Sequence, residues 1–164
     1  MTLGAMTVTP AKTKIKTKAK NRRVERALKD FSRGFNCAQA VLSAYSRELG
    51  LAPEQSHRVS QSFGAGMARL AGTCGAVTGA LMVIGLKYGK TEAQDEAAKE
   101  RTYALAQEFV RKFKSKHGSL TCLGLLGHHI GTPRGLKALQ KKKFHQKICP
   151  EYVRDAVLIL DRLL

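Results

Sequence analysis

The sequence predicts an all-α fold: a single compact bundle of six or seven helices with a glycine-rich central helix. Apolar side chains recur three and four residues apart in successive segments, and no segment alternates apolar and polar residues as a half-buried strand does. With 164 residues and 43% hydrophobic side chains, the chain is large enough for one domain with its own core. The prolines all stand between the periodic segments: Pro10, Pro53, Pro133 and Pro150.

Residues 1–23 are expected to form a disordered basic tail that precedes a helical four-cysteine domain of residues 24–164. Residues 12–26 hold eight basic side chains against the single acidic Glu25, and lysine alternates with threonine and alanine without an apolar face. This segment contributes much of the formal net charge of +17. Such a tail either extends into solvent or contacts nucleic acid or an anionic surface non-specifically.

Neither a secretory signal nor a membrane span is expected. The leader MTLGAMTVTP lacks a charged region followed by an apolar one, so the chain is expected in the reducing cytoplasm. Residues 67–86 approach the length of a membrane span, but they include Arg69 and several glycines. We therefore expect this segment to be a buried helix preceded by a glycine loop.

Two helices are expected directly after the tail. Apolar residues from Val24 to Phe31 lie on one side of the first helix. The second helix is expected to begin at Asn36, a favourable N-cap, and to end at Gly50. Its apolar stripe starts with Cys37, which places this cysteine at the start of the core-facing side.

The central helix is expected to follow a third helix and a glycine-rich loop. Pro53 begins the third helix, which runs to Phe63. Thr73 is then expected to cap the central helix, so that Cys74 falls in its first turn. A cysteine in that position ionises more easily than an ordinary one.

Two glycines shape the face of the central helix that carries Cys74. Gly75 and Gly79 stand four residues apart and therefore share one face. Because neither has a side chain, another backbone or a bound group can come close to the sulfur of Cys74. The alternative is ordinary tight packing against another helix, which the same spacing favours.

The C-terminal half is predicted to be helical as well. Thr91 is expected to cap a long amphipathic helix that runs to about Lys116. Ser119 caps a short segment that carries Cys122 in its first turn. Residues 134–147 contain no acidic side chain and are expected to form a basic helix at the surface.

Each of the four cysteines is expected at the N-terminal turn of a different helix. In the last helix Cys149 is the expected N-cap, because Pro150 suits the first helical position. Free backbone N–H groups and the positive end of the helix dipole stabilise a thiolate at such positions. The candidate catalytic residues are therefore Cys37, Cys74, Cys122 and Cys149.

The spacing of the cysteines limits their chemistry. They lie dozens of residues apart, whereas structural zinc sites and thioredoxin-like sites carry paired cysteines such as C-x-x-C. What remains is one or two thiol/disulfide pairs or the ligands of an iron–sulfur cluster, with an inert buried cysteine as the alternative for each residue. Four cysteines allow three pairings, and the sequence does not choose among them.

Four segments of the chain match, in order, the pattern of a known family. They are GFNCAQAVL around Cys37, CGAVTGALMVIGLKYG from Cys74, GSLTCLGLLG around Cys122 and ICPEYVRDA around Cys149. In these segments the chain resembles the C_GCAxxG_C_C family of putative redox-active proteins, over roughly residues 24–164. The resemblance implies a small helical protein in which the four cysteines have a redox role, and it supplies no substrate.

Three hypotheses of function follow. The first is a thiol–disulfide oxidoreductase, in which Cys74 is the reactive thiolate and one of the other cysteines resolves, acting on an unidentified redox partner. The second is a metal-binding or iron–sulfur protein without catalytic turnover. The third is an interaction module that binds nucleic acid through its basic surface, with cysteines that are merely structural.

Three other residues are weaker candidates for chemistry. His128 and His129 suit a metal pair or a proton donor near the thiols, although an exposed loop explains them equally well. Arg69 suits either a group that lowers a thiol pKa or a surface arginine. No Ser–His–Asp spacing, P-loop or dinucleotide fingerprint is present. The remaining histidines are assigned no role: His57, His117 and His145.

Overall fold

The computed structural model describes residues 22–164, and these residues form an all-α bundle. In chain order the helices are α1 (22–32), α2 (Cys37–Ser46), α3 (Pro53–Ser60), α4 (Gly64–Ala68), α5 (Gly75–Tyr88), α6 (Glu96–His117), α7 (Cys122–Leu126), α8 (Pro133–Lys141), α9 (Phe144–Lys147) and α10 (Cys149–Leu163). Seven of these have eight residues or more, which confirms the predicted bundle of six or seven helices. The other three, α4, α7 and α9, are about one turn long.

The predicted disorder of residues 1–21 concerns residues outside the described range. Arg22 and Arg23, which the sequence analysis assigned to the tail, are the first residues of α1. A guanidinium nitrogen of Arg23 lies 2.6 Å from a carboxylate oxygen of Asp161, whose side chain is fully buried. The hydroxyl of Tyr45 donates to the same oxygen at 3.0 Å. The ion pair joins α1 to α10, and Tyr45 adds α2 to the contact, so Arg23 is part of the helical bundle rather than of the predicted tail.

Helices α2 and α5 form the centre of the bundle, and two glycines let their backbones touch. A Cβ atom on Gly75 would lie 2.9 Å from both the backbone nitrogen of Ala38 and the Cβ atom of Cys37. A Cβ atom on Gly79 would lie 2.8 Å from the carbonyl oxygen of Ala38. Only glycine fits at such distances. The group that comes close over this face is therefore another backbone, that of α2, which leaves no room for a bound group, and the alternative of tight helix packing is confirmed.

The longer helices α6 and α10 enclose this central pair. Helix α6 packs on α5, and α10 packs on α2, α5 and α6. Their inward-facing side chains are apolar and fully buried, as the sequence stripes predict. The largest of them are Phe109, Phe113, Val153, Val157 and Leu160. Within residues 22–164, no helix is both long enough and apolar enough to cross a membrane.

The boundaries of α6, α8 and α9 differ from the sequence prediction. The N-cap of α6 is Asp95, four residues after the predicted cap Thr91, because the side chain of Asp95 accepts the N–H of Ala98 at 2.9 Å. Residues 134–147, predicted as one helix, divide into α8 and α9 at Lys143, which has a φ of 53°. A positive φ cannot belong to a right-handed helix, so the chain turns at this residue.

Helix α4, in the glycine-rich loop before α5, is a turn of left-handed helix. Residues 65–69 all have φ angles between 53° and 69°, and Ala71 has a φ of 59°. The N–H of Arg69 donates to the carbonyl of Ala65 at 3.0 Å, as in an α-helical turn of the opposite hand. Each residue other than glycine costs roughly 1–2 kcal/mol in this conformation. Tertiary contacts of the following residues must therefore hold the turn in place.

We expect Gly79→Ala to destabilise the protein by about 1–3 kcal/mol, because the new methyl group would overlap Ala38 of α2. Gly85 provides a matched control on the same helix, since nothing lies within 4 Å of a Cβ atom placed there. Gly85→Ala should raise stability by up to about 1 kcal/mol through helix propensity. Urea unfolding measures both changes, and equal effects at the two positions would contradict the packing described here.

We expect Ala68→Gly to stabilise the protein by about 0.5–1 kcal/mol, because glycine adopts the left-handed conformation without steric cost. Ala104, exposed like Ala68 but in the regular helix α6, is the control. Ala104→Gly should cost about 1 kcal/mol. Free energies of unfolding in urea decide the matter, and a loss of stability in both variants would argue against a left-handed turn.

Candidate functional site

Cys37 lies at the first position of α2, below a complete capping box. The side-chain oxygen of Asn36 accepts the backbone N–H groups of Ala38 and Gln39 at 3.0 and 3.1 Å. The side-chain oxygen of Gln39 accepts the N–H of Asn36 at 2.9 Å. These bonds satisfy the free amides at the start of the helix. The predicted cap at Asn36 is confirmed, and it fixes the position of the Cys37 sulfur.

Cys74 and Cys122 also lie at helix N-termini, with small differences from the predicted caps. Cys74 is itself the N-cap of α5, because Thr73 instead pairs with Thr121 in an antiparallel bridge. Cys122 is the first residue of α7, and its cap is Thr121 rather than the predicted Ser119. The side-chain oxygen of Thr121 accepts an amide of the first turn at 3.0 Å.

A short backbone ladder places Cys74 beside Cys122. The N–H of Cys74 donates to the carbonyl of Leu120 at 2.8 Å, and the N–H of Cys122 donates to the carbonyl of Gly72 at 2.8 Å. The N–H of Leu123 donates to the carbonyl of Ala71 at 3.1 Å. The same ladder therefore anchors the end of the left-handed turn and aligns two of the cysteines.

Cys149 is the first residue of α10, and the N-cap is Ile148, one position before the predicted cap Cys149. The hydroxyl of Tyr152 donates to the carbonyl of Leu125 at 3.2 Å and ties the start of α10 to α7. This bond brings together the two helices that begin with Cys122 and Cys149.

The structure gathers all four cysteines in the interior as a row of neighbouring thiols. Cys37 interacts with Cys149 and with Cys74, and Cys74 interacts with Cys122 as well. The row therefore runs Cys149, Cys37, Cys74, Cys122. All four are free thiols and none forms a disulfide.

The thiols of the row differ in acidity. The adjacent thiols of Cys122 and Cys37 lower the pKa of Cys74 well below its usual value despite burial, and the backbone amides of Ala76 and Val77 act in the same direction. The pKa of Cys37 is raised by the adjacent thiols of Cys149 and Cys74 and by burial. The pKa of Cys122 is raised by the adjacent thiol of Cys74 and by burial. One thiolate, at Cys74, flanked by two protonated thiols is the arrangement that these shifts favour.

The row is closed to solvent. The exposed fraction is 2% for Cys74 and no more than 7% for any of the four cysteines. In the native packing the sulfurs therefore face one another rather than solvent, and an external reagent reaches them only when a neighbouring segment moves.

The sulfurs are not arranged around a point that would suit a single metal ion. Among residues 22–164, the one set of three metal-ligating side chains with atoms within 4.8 Å of one another is His117, Glu151 and Asp155. No three of the sulfurs meet this limit, whereas four bonds of about 2.3 Å to one zinc ion require it. The thiols form a row rather than a tetrahedron.

The other candidates from the sequence lie in loop environments. The Nε2 atom of His128 is 3.0 Å from the ammonium of Lys142, and the Nδ1 atom of His129 accepts the N–H of Gly131 at 3.3 Å. Arg69 is exposed at the end of the left-handed turn. These contacts agree with the surface alternative that the sequence analysis considered for each of the three residues.

The sequence analysis missed two features of the site. One is the ladder of residues 71–74 with 120–123, which pairs segments about fifty positions apart and leaves no local signal. The other is the position of His117, which we left without a role and whose ring lies 3.1 Å from the carboxylate of Asp155. Two carboxylates four residues apart, Glu151 and Asp155, are the local signal that could have drawn attention to it.

Comparison with known proteins gives one match. The family model described as "Putative redox-active protein (C_GCAxxG_C_C)" matches residues 35–163, a range that contains all four cysteines and the CGAVTG segment from Cys74. No curated protein and no solved structure shows a significant match. The family match covers most of the chain, and the thiols that give the family its name are the ones that meet in the interior. The chain therefore belongs to the C_GCAxxG_C_C family of putative redox-active proteins.

Proposed function

We propose that the protein is a thiol–disulfide oxidoreductase in which Cys74 is the reactive thiolate. The observation that carries this proposal is the position of Cys74 at the N-terminus of α5, with two other thiols beside it. A helix N-terminus stabilises the thiolate, and neighbouring thiols supply the second cysteine that disulfide exchange needs. Family membership supports a redox role for the same residues.

The reaction proceeds by two exchanges with a partner that carries a disulfide. The Cys74 thiolate attacks one sulfur of that disulfide and forms a mixed disulfide, while the other partner sulfur leaves as a thiolate and takes up a proton. A neighbouring thiol then loses its proton and attacks the Cys74 sulfur, which releases the second partner sulfur as a thiol. Two cysteines of the protein are oxidised to one disulfide, and the partner disulfide is reduced to two thiols.

The order of the row favours one pairing among the three that four cysteines allow. The pairing of Cys74 with Cys122 and of Cys37 with Cys149 joins neighbours in the row for each disulfide. The pairing of Cys37 with Cys74 also joins neighbours, but it leaves Cys122 and Cys149, the two ends of the row, to each other. We propose Cys122 as the resolving thiol, with Cys37 and Cys149 as a second pair that exchanges with the first through the contact between Cys37 and Cys74.

A cavity of about 710 Å³ offers an approach to this buried row. Its wall includes Asn36, Gly64 and part of the left-handed turn, and α8 forms the opposite side. The Cα atom of Gly64 lies 3.1 Å from the position of a Cβ atom on Gly75, the residue that follows Cys74. Gly64 therefore separates the cavity from the start of α5. Movement of the strained turn would connect the cavity to the thiols, which supports entry of a disulfide-bearing loop from this side.

We expect iodoacetamide to label Cys74 with a lower pH midpoint in the folded protein than in the unfolded protein. Only the thiolate reacts, and a lowered pKa keeps the thiolate populated as the pH falls below the ordinary thiol value of about 8.5. Cys37→Ala and Cys122→Ala each remove a thiol that lowers the pKa of Cys74, so both should move the midpoint to higher pH. Cys149→Ala is the matched control, because that thiol neighbours Cys37. The measurement is peptide mass spectrometry of labelling rates, and identical midpoints in folded and unfolded protein would refute the thiolate role.

Oxidation of the native protein with diamide is expected to produce the disulfides Cys74–Cys122 and Cys37–Cys149 within one chain. Peptide mapping under non-reducing conditions identifies them. Cys122→Ala should leave Cys74 paired with Cys37, since that is its other thiol neighbour. If the native protein keeps four free thiols, or forms disulfides only between chains, the proposed reaction is excluded.

The alternative function is a metal-binding or iron–sulfur protein without turnover. A second measurement, beside the oxidation with diamide, distinguishes it from a protein that forms disulfides. Absorbance at about 400 nm and iron analysis of anaerobically purified protein detect a cluster. A cluster that occupies all four thiols would block the diamide reaction and would replace the present proposal. A colourless, iron-free sample that forms the two disulfides supports it.

A further inference from the structure

We propose that His117, Glu151 and Asp155 form a binding site for a divalent transition-metal ion, separate from the thiols. One ligand atom from each residue lies within 4.8 Å of the others. His117 is the last residue of α6, and the two carboxylates are one turn apart at the start of α10. The site therefore lies where the end of one long helix meets the beginning of another, and it does not depend on the proposed redox reaction.

Two of the ligand atoms are buried without a hydrogen-bond partner. The side chains of His117 and Asp155 are 7% and 6% exposed. The Nε2 atom of His117 and the Oδ2 atom of Asp155 are 3.1 Å apart, yet their relative orientation does not form a hydrogen bond, and both remain unsatisfied. Leaving buried polar atoms unpaired costs roughly 1–3 kcal/mol each. A cation bound by both atoms would remove this cost.

The spacing of these atoms suits ligands of one ion. Metal bonds of about 2.0–2.2 Å to nitrogen and oxygen place neighbouring ligand atoms roughly 3 Å apart, which agrees with the 3.1 Å between Nε2 and Oδ2. Glu151 is exposed, so it provides both a third ligand and an entry path from solvent. The ammonium of Lys116 lies 2.8 Å from the other Asp155 oxygen, Oδ1, and leaves Oδ2 available.

The imidazole is held in place before any ion binds. The ring of His117 lies 4.6 Å from the ring of Phe113, tilted by 46°, and forms an edge contact with the ring of Tyr152 at 4.9 Å. Ligands fixed by their surroundings lose little freedom on binding. An imidazole nitrogen with two carboxylates favours zinc, cobalt or nickel over calcium or magnesium, which prefer an all-oxygen shell. Lys116 and the net positive charge of the chain oppose any cation, so the local ligand set must outweigh them.

Titration with Co²⁺ tests the proposal, because its absorption spectrum distinguishes the two kinds of site. Nitrogen and oxygen ligands give weak visible bands, whereas thiolates add intense sulfur-to-metal charge transfer in the near ultraviolet. The first equivalent of Co²⁺ bound by the reduced full-length protein should give visible bands without charge transfer. Glu151→Gln should weaken this binding by about tenfold or more, and its exposed position should leave the fold of the metal-free protein intact.

Glu54→Gln is the matched control, because Glu54 follows Pro53 in the first turn of α3 as Glu151 follows Pro150 in α10. It should bind Co²⁺ as the unchanged protein does. His117→Gln provides a second variant that removes the nitrogen ligand and should alter the visible bands. The proposal is overturned if Glu151→Gln binds as tightly as the unchanged protein, or if the first equivalent produces the thiolate charge-transfer band.

Discussion

The contact between the glycine face of α5 and the backbone of α2 is the constraint on which the rest of the molecule depends. A Cβ atom at Gly75 would lie 2.9 Å from the Cβ atom of Cys37, so the absence of that side chain is what allows Cys37 to lie beside Cys74. The GxxxG spacing thus does two things at once, since it packs the central helices and brings two sulfurs together. The remaining two cysteines join them through the ladder of residues 120–123 and through the start of α10.

Burial and ionisation act against each other in this interior, and the neighbouring polar groups decide the result. An isolated buried thiol resists ionisation, because a charge is poorly solvated there. Cys74 is nearly inaccessible, yet two adjacent thiols and two backbone amides lower its pKa and outweigh desolvation. The pKa of Cys37 and that of Cys122 are raised in turn, because burial and the adjacent thiols disfavour a second charge in the row.

Local signals in the sequence predicted most of the fold and the four cysteines, because helix caps are determined by a few neighbouring residues. Asn36 and Pro150 placed the starts of α2 and α10 within one residue of their observed positions. The left-handed turn had no such signal, since alanine does not prefer positive φ angles and only the tertiary ladder imposes them. Two other contacts are also tertiary: the packing of α2 on the glycine face of α5, and the contact of His117 with Asp155 of α10. The spacing of residues along the chain does not predict either of them.

In the proposed reaction, the native contacts between the thiols also set how strongly the protein acts as a reductant. Two sulfurs held side by side behave toward each other as reactants at a very high effective molarity, because the fold has already removed their freedom to separate. Each 1.4 kcal/mol by which this arrangement favours the oxidised pair lowers its reduction potential by about 30 mV. The reduction potential of the pair thus depends on how rigidly the helix ends hold the row of thiols. A change in packing far from the sulfurs would alter this rigidity and the reduction potential together.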